Sequence, residues 1–152
     1  MSERVRRRIY PPIWLLIGII TIFSLNEFYP GYRYTAFAGQ AIGGVVIVIG
    51  LALLVIANGL FSQAGTNVIP FRPATALVTT GIYRVTRNPM YLGMLAVLLG
   101  SAITVGAATA LVVPVLFVVI IQSRFILAEE AMLRSTFGAE YEEYCARVRR
   151  WL

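Results

Sequence analysis

The chain has 152 residues, 59% of them hydrophobic and 13% charged, with a mean hydropathy of +0.78. A soluble domain carries about 25% charged residues, and here the charges are also bunched. Uncharged stretches of 18, 38 and 36 residues separate Arg8 from Glu27, Arg33 from Arg72, and Arg87 from Arg124. A membrane-spanning helix needs about 20 such residues, so a water-soluble fold is excluded and an all-α integral membrane protein is expected.

The missing residue types exclude whole classes of chemistry. There is no His, Lys or Asp; all 13 cations are Arg and all 7 anions are Glu. A Ser-His-Asp triad, a Schiff-base lysine, a phosphate-binding P-loop and a His-containing metal site are therefore impossible. No metal is expected. The single cysteine, Cys145, cannot form an internal disulfide, and it lies too far from the last residue for prenylation.

In chain order, the first span is expected over 13–28, after Arg4, Arg6, Arg7, Arg8 and the pair Pro11-Pro12. It is read as an anchor: the small-x-small triplet Ala36-Phe37-Ala38 lies too far from the apolar run for signal cleavage. The second span covers 36–61, where Gly39 and Gly43 form a GxxxG step suited to close contact inside a helix bundle. The stretch from Pro89 to Phe125 is too long for one span. Its breaks at Gly100-Ser101 and Val105-Gly106-Ala107 predict a tight hairpin with arms over 89–105 and 107–126, the second kinked at Pro114.

Four spans place 12 of the 13 arginines, all but Arg33, at one membrane face. By the positive-inside rule that face is cytoplasmic, with both termini there and the protein in the cell inner membrane. The whole of 1–152 then reads as one membrane domain, with a cytoplasmic loop over 62–88 and a cytoplasmic segment over 127–152.

The loop ends Tyr83-Arg84-Val85-Thr86-Arg87-Asn88-Pro89-Met90-Tyr91-Leu92-Gly93. Asn88 and Pro89 suit the N-cap and first position of a helix. Capping leaves Arg87 unexplained, and an arginine beside a helix N-terminus suits a carboxylate or phosphate. Tyr83, Tyr91 and Gly93 cluster around the same point.

Beyond the hairpin, Glu130 has Arg134 at i+4, an ordinary helical pair. Glu129 has Phe125, Ile126, Met132 and Leu133 as its helical neighbours, an apolar setting that is costly for an acid without a cation or ligand. Arg124 is one candidate cation. Past Phe137-Gly138, three Glu and then three Arg suit the dipole of a further helix. Tyr141, Tyr144, Val148 and Trp151 share one face of it, so an amphipathic helix at the membrane interface is expected.

Taken together, Thr-x-Gly-x-Tyr-Arg, Arg-Asn-Pro-Met-Tyr-x-Gly, an apolar hairpin, Glu-Glu-x-x-Leu and Phe-Gly-x-x-Tyr-x-x-Tyr resemble the isoprenylcysteine carboxyl methyltransferase and phospholipid methyltransferase superfamily. The match covers about Leu77 to Trp151. The resemblance implies an integral membrane methyltransferase using S-adenosylmethionine at the cytoplasmic face. The cofactor contacts it implies are Leu77, Val78, Tyr83, Asn88, Pro89, Met90, Tyr91, Glu129 and Glu130; the loop sequence itself adds Arg87 and Gly93 as expected contacts. Asn88 departs from the His usual in the carboxyl methyltransferases, and this puts prenylcysteine in doubt as the substrate.

The charged groups suit that cofactor. Glu129 or Glu130 can hold its ammonium, and Arg87 with the amides at the start of the third span its carboxylate. Arg87 and Glu129 are the expected catalytic residues, Glu129 as base where the acceptor must lose a proton. Arg124, Tyr141 and Tyr144 are expected to face a lipophilic acceptor, a small molecule or lipid bearing a carboxylate, amine or thiol. The other partner is the bilayer; nucleic acid is not expected, and a homo-oligomer is left open. Competing readings are a small membrane exporter, which would rely on Glu27, and an NADPH-dependent membrane reductase.

Overall fold

The computed structural model describes residues 10–34, 36–65 and 75–152. The expectations for Arg4, Arg6, Arg7, Arg8 and Arg72 fall outside these. The described residues form helices α1 (Pro11–Phe28), α2 (Phe37–Gln63), α3 (Pro89–Val105), α4 (Val112–Ile121), α5 (Leu127–Phe137) and α6 (Ala139–Arg147). Short 3-10 turns occupy Gly81–Arg84 and Ala108–Leu111, and a π turn covers Gln122–Ile126. No strand occurs among the described residues, only isolated bridges.

Among the described residues, three helical stretches are long and apolar enough to cross a membrane: Pro11–Phe28, Phe37–Gln63 and the continuous rod Ala108–Phe137. The apolar α3, with 17 residues, is shorter; at 1.5 Å per residue it is about 26 Å long. Large apolar side chains such as Phe23, Val48, Val55, Val115 and Val119 project outward. Exposed apolar surface on this scale requires a hydrocarbon solvent, so the chain is an integral membrane protein.

Helices α2 and α3 pack through two pairs of glycines. A Cβ built on Gly43 would stand 2.6 Å from the carbonyl oxygen of Gly100, and one on Gly50 would stand 2.7 Å from that of Gly93. The partners in each helix are seven residues apart, two turns, so the pairs lie on one face and the helices run antiparallel. The expected GxxxG step is thereby corrected. Gly43 is at the contact, whereas a Cβ on Gly39 would meet nothing within 4 Å. A four-residue step drifts around the helix, and the true seam repeats every seven.

The hairpin closes at Gly106, whose φ of 70° lies in the left-handed region that glycine enters without strain. The segment between α1 and α2 is tied to this turn: Tyr34 N–H donates to the Gly106 carbonyl and Ala108 N–H to that of Tyr32, both at 2.9 Å. Arg33 folds back onto Asn26 at the same end. The exceptional arginine of the sequence thus sits at the hairpin-turn end of the molecule.

Pro114 does not mark the irregularity of the second arm. It lies in the first turn of α4, where its missing N–H costs little. The departure from α geometry is the π turn, and it re-phases the buried stripe. Val113, Phe117, Ile121 and Phe125 recur every four residues; within the π turn the adjacent Ile126 is buried too, and the stripe passes from it to Glu130 four residues on. The π turn therefore carries Glu130 inward and leaves Arg124 exposed.

The main core gathers Ile22, Leu98, Phe117, Ile121 and Phe125 between α1, α3 and the rod. A second cluster joins Ala57, Val78 and Tyr83, and a third joins Tyr141, Tyr144 and Val148 with Leu77, Leu133 and Phe137. The aromatic face of α6 is thus turned into the protein. Glu140, Glu142 and Glu143 take the outer side.

Candidate active site

The functional residues converge where the start of α3 meets α5, α6 and the segment 148–151. Asn88 precedes α3 without capping it through its side chain. Its Nδ2 instead donates to the Arg150 carbonyl at 2.9 Å. Asn88 thus holds the N-cap position as expected, but its side chain ties chain to chain and does not bond the first turn of α3. A helix left in this way offers its first amides to another acceptor.

Glu129 and Glu130 are neighbours with opposite surroundings. Glu130 is buried and held as a fork: Arg150 Nε donates to its Oε1 and Arg150 NH2 to its Oε2, each at 2.8 Å. Arg87 adds a contact of 3.4 Å and Arg134 one of 4.0 Å. The i+4 pair of the sequence is thus the longest of these; Arg134 bonds Glu142 better, at 2.7 Å on the surface. Saturated in this way, Glu130 has little capacity left for a ligand's ammonium.

Glu129 has no arginine partner among the described residues. Its Oε1 accepts a 2.7 Å hydrogen bond from the Tyr91 hydroxyl, one turn into α3. Arg124 is not its cation: five residues earlier on the rod, it lies exposed on another face. Arg87 forms the complementary element. Its side chain is 12% exposed; NH1 donates to the Cys145 thiol and the backbone N–H to the Arg149 carbonyl. Its Nε is buried with no partner. A largely buried acid with no arginine partner among the described residues, and a guanidinium whose buried Nε has no partner among them, are both costly in isolation.

Tyr83 and Tyr144 brace the floor of the site. The Tyr144 hydroxyl donates to the Tyr83 carbonyl at 2.7 Å, and Phe61 meets the Tyr83 ring edge-on. Burial pushes the Tyr83 phenol up, with Tyr144 and then Glu129 adding to it, and burial pushes the Tyr144 phenol up to about 12 against the pull of Arg87. Burial likewise raises Tyr141. Tyr141 and Tyr144, expected to face the acceptor, are in fact buried in the packing of α6.

Other expected contacts separate by role. Leu77 packs with the α6 cluster, whereas Val78 and Met90 pack around Tyr83. Pro89 is buried at the start of α3. Gly93 is occupied by the α2 crossing, where a Cβ would stand 2.8 Å from the Gly50 carbonyl, so its smallness serves helix contact. Among the described residues no three metal-ligating side chains converge.

Sequence reasoning missed Arg150, Thr86 and Cys145. Thr86 is fully buried; its hydroxyl donates to the Arg150 carbonyl, and it forms a parallel bridge with Arg149. Trp151 Nε1 donates to Gln122 Oε1 in the π turn. The basic run at the end of the chain carried one usable signal, an arginine directly before Trp151.

A helical membrane protein with paired glutamates and arginines at one end of its bundle is the class that fold and site define. The model of the phospholipid methyltransferase family matches residues 38–140. The chain is also 32% identical over 109 residues to a probable protein-S-isoprenylcysteine O-methyltransferase of Oryza sativa, covering 70% of this chain and 57% of that protein. An uncharacterized protein of Haemophilus influenzae is 40% identical over 63 residues, its full length and 41% of this chain. Among solved structures, a eukaryotic intramembrane Ras methyltransferase, isoprenylcysteine carboxyl methyltransferase, shares the fold with a TM-score of 0.57 at 22% identity. That match takes in all of this chain and 53% of the other. The chain belongs to the phospholipid methyltransferase family. It spans little more than half the length of the rice relative and of the solved structure.

Proposed function

We propose that the protein is a membrane methyltransferase that moves a methyl group from S-adenosylmethionine to a lipophilic acceptor at the cytoplasmic face. Two observations carry this reading: Glu129, a largely buried acid held by Tyr91 with no arginine partner among the described residues, and Arg87, whose buried Nε has no partner among them. The residues fit the cofactor's charges. Glu129 would take the ammonium, and Arg87 with the uncapped amides of α3 the carboxylate. When bound, the cofactor supplies an electrophilic methyl on a sulfonium.

The rest is the work of this chain. Methyl transfer is an in-line displacement that discharges a cation, so alignment and dryness matter more than a metal or a base. Val78, Met90 and the buried ring of Tyr83 provide apolar packing at the site. Tyr91 holds Glu129 in place through its hydroxyl. An amine or thiol acceptor would pass its proton to Glu129; a carboxylate acceptor needs no base, and the exposed Arg124 stands at the membrane boundary to draw it in.

The same reading places four spans in the cell inner membrane, with α3 as the short third crossing and both termini cytoplasmic. The acceptor would enter sideways from the bilayer. An exporter would rely on Glu27, which is exposed at the end of α1 and far in sequence from the glutamate–arginine cluster.

Calorimetric binding of S-adenosylmethionine and its demethylated product to detergent-purified protein tests the proposal. Micromolar binding by the wild type is expected, with losses of at least about tenfold in Glu129→Gln and Arg87→Lys. Undiminished affinity in both variants removes this site.

A further inference from the structure

The segment Val148–Trp151 runs beside residues 85–88 and is stitched to them at several points. Thr86 bridges Arg149, the Arg87 N–H donates to the Arg149 carbonyl at 3.0 Å, and the Arg150 carbonyl accepts both the Thr86 hydroxyl and Asn88 Nδ2. The carbonyls of Arg149 and Arg150 are thus both fixed to the 86–88 segment before the Arg150 side chain reaches across to Glu130. Holding two successive carbonyls in this way makes the fork on Glu130 pre-formed.

The charge count around Glu130 gives this fork its consequence. One buried carboxylate faces Arg150 through two hydrogen bonds of 2.8 Å and Arg87 through a single 3.4 Å contact. Arg150 takes most of the negative charge; Arg87 keeps most of its own, together with the unpartnered Nε. With Arg150 removed, Glu130 would have Arg87 as its nearest cation, because Arg134 stands 4.0 Å away and is engaged by Glu142. A closed carboxylate–guanidinium pair has little field left for a second carboxylate.

We propose that Arg150 is a positioning residue that satisfies Glu130 and thereby keeps Arg87 available to the carboxylate of the methyl donor. Asn88 and Thr86 serve the same end by holding the Arg150 carbonyl. The proposal rests on the role given to Arg87 above. It divides the acid pair: Glu130 organises arginines, and Glu129 meets the ligand.

The test compares binding of S-adenosylmethionine with that of its decarboxylated analogue, which lacks the group Arg87 would hold. In Arg150→Met, affinity for the intact donor should fall at least about tenfold while that for the analogue changes less than about threefold. Adding Glu130→Gln to Arg150→Met frees Arg87 again and should restore most of the lost affinity. Replacing both members of a buried pair is far better tolerated than removing one, so the double variant keeps the test open if Arg150→Met folds poorly. Arg150→Lys, which retains charge but not the fork, should fall between.

Equal loss for both ligands, or no recovery in the double variant, would reduce Arg150 to a scaffold residue and overturn the proposal. Wild-type affinity in Arg150→Met would overturn it while leaving the functional reading intact. A wild type that binds neither ligand would remove the functional reading and this inference with it.

Discussion

Gly50 and Gly93 face each other so closely that a Cβ on either would stand within 2.8 Å of the other's carbonyl oxygen. With Gly43 and Gly100 two turns away, they set the separation of α2 and α3, and so the position of the α3 start that carries Asn88, Pro89 and Tyr91. In a bilayer, where lipid tails solvate apolar side chains as well as another helix does, close backbone approach is a principal source of helix association.

A side chain at this crossing should therefore be destructive. Gly50→Val is expected to cost about 1–3 kcal/mol or more through forced separation, read as a lowered unfolding midpoint in detergent. Gly39→Ala, which adds a methyl to open space, should leave the midpoint unchanged or raise it, since alanine is the better helix former by about 1 kcal/mol.

The two glutamates should separate stability from binding. Glu130→Gln leaves Arg150 and Arg87 short of their shared counter-charge and is expected to destabilise by about 1.5–3 kcal/mol. Glu129→Gln retains an acceptor for the Tyr91 hydroxyl and should leave thermal stability within about 0.5 kcal/mol. Melting curves of the two variants side by side provide the measurement, and equal destabilisation would contradict the division of roles.

Tyr144→Phe removes the donor to the Tyr83 carbonyl without changing the shape of α6. A buried carbonyl left without its partner costs about 1–3 kcal/mol, and loosening should concentrate in residues 81–84 and 139–148. Hydrogen exchange read by mass spectrometry would locate it.

Alkaline pH should unfold the protein in a defined window. Tyr83, Tyr141 and Tyr144 have phenols raised above the ordinary 10, Tyr144 to about 12. The neutral form is favoured in the folded state, so this contribution is fully present below pH 10 and is lost as pH climbs through the folded values. Tyrosinate absorbance during titration should lag that of the unfolded chain and then rise together with loss of helicity. Ionisation of all three at pH 10 with helicity intact would contradict their burial.

The membrane class, the helical hairpin and its turn at Gly106 were legible in the chain because each rests on local composition. Long uncharged runs need hydrocarbon, and a left-handed turn needs glycine. Arg87, Tyr91 and Glu129 stood out for a similar reason: polar groups at the ends of apolar runs are conspicuous. Helical spacing already set Glu130 beside Arg134 and Glu129 among apolar residues; what it did not reach is that Glu130 is buried and gripped chiefly by Arg150, and that Arg124 is no partner of Glu129. The π turn over Gln122–Ile126, which ends four residues before Glu130, shifts the phase of both acids. Sequence periodicity assumes uniform winding and cannot register one extra residue in a turn. Arg150 lay hidden for another reason. Its partner is 20 residues away, across a helix and two bends, and only the packing of α6 onto the loop brings guanidinium and carboxylate together. Local preference writes the helices and where they stop; long-range contact, paid for by burying α6 and the 148–151 segment, chooses which charges meet.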